Sequence, residues 1–143
     1  MTPQRWDMVA PFVTAGETVH HIDVLHAVLE HEGCQGRAET MGVDYLGETV
    51  ESLQAELSAL DPAAIAQLNR QTVQALLPPG GSRNGLDCAL WDLEAKATGK
   101  PVWQLAQMSR PRASTTALTV VVYAAEPLAD AATQARTCSP LQA

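Results

Sequence analysis

The chain has 143 residues, 46% hydrophobic and 17% charged, with a net charge of −7, which suits one globular domain with a sizeable core and is short for two. The acidic balance argues against nucleic-acid and anionic-membrane partners, since either demands a basic patch. No apolar run approaches the length that spans a bilayer, and MTPQRWDMVAPFV at the N-terminus lacks the basic head and apolar core of a secretory leader, so the cytoplasm is the expected location.

Residues 11–19, PFVTAGETV, hold a Gly-centred loop, a candidate mobile flap. Residues 21–29 are rich in Ile, Val and Leu and read as a strand. EHEG then supplies a turn at Gly33, and GCQGRAET a short return strand. If residues 20–30 form a strand, His20 and His26 share a face and His21 points the other way.

After GVDYLGE the period changes. Val50, Leu53, Leu57 and Leu60 mark one face of a helix, with Glu48 and Glu51 expected in its first turn. Asp61 and Pro62 stop it and open a second helix as N-cap and first helical residue, with Ile65 and Leu68 as its apolar face. Residues 71–77 read as a further short turn or helix, ended by PPGG.

SRNGLDCALWDLEAKATGKP is the most organised stretch. Ser82 is the expected cap. Leu86, Ala89, Leu90, Leu93 and Ala97 form the expected buried stripe, and Asp92 and Lys96 an i,i+4 ion pair. Trp91 lies beside the stripe, placed to pack on a neighbouring element. Gly99 and Pro101 end the helix, and PVWQLAQM reads as another short one. Residues 117–124 are a nearly continuous apolar run that suits a strand buried on both faces, and Pro127 opens an amphipathic helix.

Chemistry is hard to assemble from these residues. Cys34, Cys88 and Cys138 are odd in number and far apart, which suits reduced thiols better than a disulfide framework or a zinc site. His20, His21, His26 and His31 read as solvated strand and turn residues. Glu39, Asp44 and Glu48 read as surface acids rather than a hard-metal cluster. PPGGSRNG precedes a helix, where an anion can bind, but no strand leads into it and it reads as a helix-entry loop. Asp87 and Asp92 lie about 140° apart around a helix and form no carboxylate pair. No catalytic constellation and no metal site is expected.

LLPPGGSRNGLDCALWDLEAKATGKPVWQL resembles the N-terminal capping domain of the enolase superfamily, most closely its dipeptide epimerase (L-Ala-D/L-Glu epimerase) group. Three more segments agree in order and spacing. PFVTAGET resembles the flap loop over the substrate, and GCQGRAETMGVDYLGETVESL the hairpin and helix entry. TTALTVVVYAAEPLADAATQA resembles the first strand and helix of the barrel. Together they cover residues 11–136.

The resemblance implies an α+β capping domain, a small antiparallel sheet with a helical bundle, at residues 1–112. It implies the first βα unit of a (β/α) barrel at 113–136 and an irregular tail at 137–143. In the family the reaction is a 1,1-proton transfer at the α-carbon of the dipeptide's C-terminal residue. Mg²⁺ acts there as a Lewis acid on the adjacent carboxylate, and two barrel lysines exchange the proton. Members are often homo-oligomeric. Thr119 matches a family threonine that contacts substrate, and Phe12, Thr14 and Glu17 occupy the flap that shapes specificity. Some members place an arginine in that flap to meet a substrate carboxylate. Here the flap reads AGETVHH, which puts Ala-Glu in doubt and points to a cationic or apolar dipeptide.

The only lysines are Lys96 and Lys100, neither at a position matching the catalytic pair. A barrel takes about 250 residues. The chain is therefore expected to be a truncated fragment, inactive alone and binding no Mg²⁺, with its last residues read out of frame. The rivals are a stand-alone capping-type module acting in binding or assembly, and a fragment that complements a separate barrel chain.

Overall fold

The computed structural model describes residues 1–115, except residue 15 and the side chain of residue 44. The strand expected at 117–124, the helix expected from Pro127, Thr119, Cys138 and the tail at 137–143 lie outside the described residues. The chain divides into two compact units, Met1–Trp6 with Ile22–Pro111, and Asp7–His21 with Arg112–Ala143.

The apolar run at 21–29 is the middle of a longer strand, β2 (Thr18–His31), and GCQGRAET yields β3 (Cys34–Thr40). They pair antiparallel, with Leu25 opposite Thr40 and His31 opposite Cys34. Only Glu32 and Gly33 remain for the turn, at φ 48° and 80°. Positive φ at both central residues gives the hairpin turn whose twist matches the strands. A third strand, β1 (Thr2–Val13), completes a sheet of order β1-β2-β3. Sequence patterning does not reveal β1. Pro3 and Pro11 break its strand character, and most of its residues stay exposed, as a sheet edge allows. Arg5 on β1 donates to both carboxylate oxygens of Asp23 on β2, at 2.6 and 2.7 Å.

Helix α1 (Val50–Ser58) starts at a reciprocal cap. Thr49 Oγ1 accepts from the Ser52 amide, and Ser52 Oγ accepts from the Thr49 amide. Glu51 lies in the first turn. Glu48, expected there too, precedes the cap and does other work. Its two carboxylate oxygens accept from the amides of Val43 (3.2 Å) and Gly81 (3.0 Å). Asp61 caps α2 (Pro62–Ala66) by accepting from the Ala63 amide at 2.9 Å. Ile65 is 45% exposed, so α2 contributes little to the core; Leu68, just past it, is half-buried there. In α3 (Thr72–Leu76), Val73 is fully buried.

Helix α4 (Gly81–Thr98) is the organised stretch, followed after Gly99 and Pro101 by α5 (Val102–Leu105). Gly99, at φ 67°, forms the left-handed C-cap. The start differs from expectation. Ser82 lies inside the helix, buried, with Oγ 3.4 Å from the Leu53 carbonyl, and caps nothing. Glu48 instead supplies an acceptor and a negative charge at the helix start, from 33 residues upstream. The helix-entry loop is thus served by the protein's own carboxylate. Glu48→Ala is expected to cost about 1–2 kcal/mol, read as a lowered urea midpoint, because it strips two amides of their acceptor.

The buried face of α4 also shifts from the expected stripe. It comprises Gly81, Ser82, Gly85, Leu86, Ala89 and Leu90; Leu93 is half-buried and Ala97 exposed. Small residues lie here because α4 runs close against β3. A Cβ on Gly36 would stand 2.1 Å from the Ala89 carbonyl oxygen, and one on Gly85 2.8 Å from Thr40 Cγ2. Thr40 Oγ1 donates to the Gly81 carbonyl at 2.9 Å in the buried seam. The core collects Leu25, Val50, Leu53, Leu57, Val73, Leu77, Leu86 and Leu90 between the sheet and helices α1, α3 and α4.

Candidate functional site

The sequence places Phe12, Thr14 and Glu17 in the candidate loop at 11–19, with Thr119 outside the described residues, and reads no catalytic constellation into the polar side chains of α4. The loop narrows to residues 14–17, because β1 runs to Val13 and β2 begins at Thr18. Thr14 closes it. The Thr14 amide donates to the Glu17 carbonyl at 2.9 Å, and Thr14 Oγ1 accepts from the amides of Gly16 (3.3 Å) and Glu17 (3.2 Å). A threonine side chain standing in for backbone is a common way to set a tight turn. The Thr14 hydroxyl is therefore engaged within the loop. Glu17 is exposed at the loop's end, while Phe12, expected in the loop, lies on β1.

The polar face of α4 is occupied by structural bonds. Asp92 Oδ2 accepts from the Arg37 amide at 2.7 Å and from Lys96 Nζ; Lys96 also donates to the Gln35 carbonyl at 3.1 Å. Gln35 and Arg37 are two apart on the edge strand β3, so the expected ion pair also seals backbone groups on that edge. Trp91 packs as expected, and its partner is Arg70. The guanidinium carbon of Arg70 lies 3.8 Å from the ring centroid, and the same group donates to Glu94 at 2.5 and 3.0 Å. A cation over an aromatic face, held by a bidentate carboxylate, ties the loop before α3 to α4. Asp87 accepts from Gln74 at 3.0 Å.

Hydrogen bonds from Arg70 hold the Glu94 carboxyl below the usual carboxylate range, against the opposing effect of burial. Burial is the largest single influence on Asp92 and pushes it up, but the bonds from Lys96 and the Arg37 amide together bring it down. Between the lowered folded values and the ordinary unfolded ones, the unfolded chain binds more protons. The stabilisation is therefore complete above the ordinary carboxylate range and is lost as pH falls through the folded values. Denaturation midpoints should drop as pH falls below about 5. Glu94→Gln should flatten part of that drop, by up to about 1 kcal/mol given the partial exposure of the pair.

Among the described residues, no three His, Cys, Asp or Glu side chains are grouped to hold a metal ion. Glu48 spends both carboxylate oxygens on backbone amides. Among the described residues, these side chains do not make the donor set of the Mg²⁺ that the family resemblance implies. Cys34 and Cys88 are free thiols. No helix among the described residues is long and apolar enough to cross a membrane.

An antiparallel three-stranded sheet followed by helices, the longest laid tightly on the edge strand, is the α+β N-terminal domain of the enolase type. The family model described as "Mandelate racemase / muconate lactonizing enzyme, N-terminal domain" matches residues 1–106, and the chain belongs to that family. Two proteins similar to it are an epimerase and a racemase. L-Ala-D/L-Glu epimerase of Escherichia coli (strain K12) is 33% identical over 129 residues, which cover 90% of this chain and 40% of that protein. N-acetyl-D-glutamate racemase of Pseudoalteromonas sp is 32% identical over 72 residues, 49% of this chain and 23% of that one.

Two solved structures superpose well. One is an L-Ala-D/L-Glu epimerase, with a TM-score of 0.75 and 30% identity, covering 93% of this chain and 40% of that chain. The other is an enolase family member from Agrobacterium tumefaciens with homology to dipeptide epimerases, carrying bound sodium and L-Ala-L-Glu with an ordered loop. Its TM-score is 0.68 at 33% identity, covering 76% of this chain and 33% of that chain. The chain thus spans 40% or less of the length of these relatives.

Proposed function

We propose that the chain is the N-terminal segment of a dipeptide epimerase, an isomerase that moves a proton at the α-carbon of the dipeptide's C-terminal residue. The observation that carries this is the match to L-Ala-D/L-Glu epimerase, over 90% of this chain at 33% identity. Residues 1–112 then form a capping domain and 113–136 the opening βα unit of the catalytic barrel. The segment's role is to shape the substrate site rather than to perform the proton transfer. Of its two lysines, Lys96 is tied to Asp92 and to the Gln35 carbonyl, and the described residues offer no metal-ligand group. Mg²⁺ belongs to the full-length enzyme on this reading.

Phe12, Thr14 and Glu17, with Thr119, are the proposed substrate-facing residues. Thr14 acts by setting the loop, and Glu17 by placing a negative charge at its exposed end. An anionic loop without arginine disfavours a dipeptide ending in glutamate and favours a cationic or apolar one.

The test is α-proton exchange in deuterated water, followed by NMR over a panel of acidic, apolar and cationic dipeptides. The purified 143-residue chain should exchange none of them, with or without Mg²⁺; turnover by it would overturn the assignment of this segment as non-catalytic. The chain joined to a complete dipeptide epimerase barrel should exchange dipeptides and prefer cationic or apolar ones. Absence of exchange by a folded, Mg²⁺-loaded fusion would count against the family activity. Clear preference for Ala-Glu would overturn the role given to Glu17.

A further inference from the structure

We draw no further inference here: the strongest candidate, the apolar groove between β2 and helices α1 and α2 lined by Val28, Leu29, Leu57, Ile65 and Leu68, carries nothing because no feature of the structure shows what covers it.

Discussion

Gly36→Ala is expected to destabilise the chain by about 3 kcal/mol, a severe case of overpacking. The added methyl would stand 2.1 Å from the Ala89 carbonyl oxygen, 2.5 Å from Leu93 Cβ and 2.7 Å from the Leu93 amide nitrogen. Two of those three atoms are helix backbone, so no rotamer change relieves the clash. Either α4 moves off β3 or the strand bends. Both also strain the bonds from Asp92 to the Arg37 amide and from Lys96 to the Gln35 carbonyl. Domains of this size are stable by about 5–15 kcal/mol, so a large fraction would be lost. Urea denaturation followed by tryptophan fluorescence reads the effect directly. Gly16→Ala is the control, since nothing lies within 4 Å of a Cβ there; its midpoint should move by less than about 0.5 kcal/mol. A loss under 1 kcal/mol at Gly36 would mean that α4 does not approach β3 this closely.

Leu53→Ala is expected to cost about 3–4 kcal/mol. Leu53 is 2% exposed and sits among Leu25, Leu57, Val73, Leu86 and Leu90. Its methyls abut Gly81 at the start of α4, and its carbonyl accepts from Ser82 Oγ. Truncation would open a cavity where α1 meets α4, and the surrounding backbone can collapse only partly into it. Ile65→Ala provides the comparison. Both residues lie on helices and both are apolar, but Ile65 is 45% exposed and should cost about 1 kcal/mol or less. Equal losses at the two positions would contradict the placement of the core.

Much of the architecture was legible because it is local. The 3.6-residue period of α4, its stop at Gly99 and Pro101, the Asp61–Pro62 helix start and the Glu32–Gly33 turn each depend on neighbours within a few residues. Strand β1 was not legible, since an exposed edge strand interrupted by prolines carries almost no alternation. The candidate loop was legible as a position but not in extent. Thr14 and the strands on either side set its limits.

The helix starts show where local reading fails. Ser82 has the right chemistry for a cap, and Asp61 has it too, but only Asp61 acts as one. At α4 the close approach of the α1 entry loop brings Glu48 to the Gly81 amide, and Ser82 is buried against Leu53. Trp91 was readable as a packing residue. That Arg70 would stack on it while gripping Glu94 was not, because Arg70 lies 24 positions from Glu94 and on a different element.

By itself, then, the sequence determined the types of most elements, the hairpin turn, the helix stops and the resemblance carried by the α4 stretch. Periodicity and turn chemistry act over a few residues and need no partner to be read. Tertiary structure alone decided which distant backbone groups the polar side chains serve. Asp92 meets the Arg37 amide across 55 positions and Glu48 meets Gly81 across 33. Such bonds form only once α4 lies against β3, and the small residues at Gly36 and Gly85 permit that approach. The polar side chains of α4 are held by the fold they help to close.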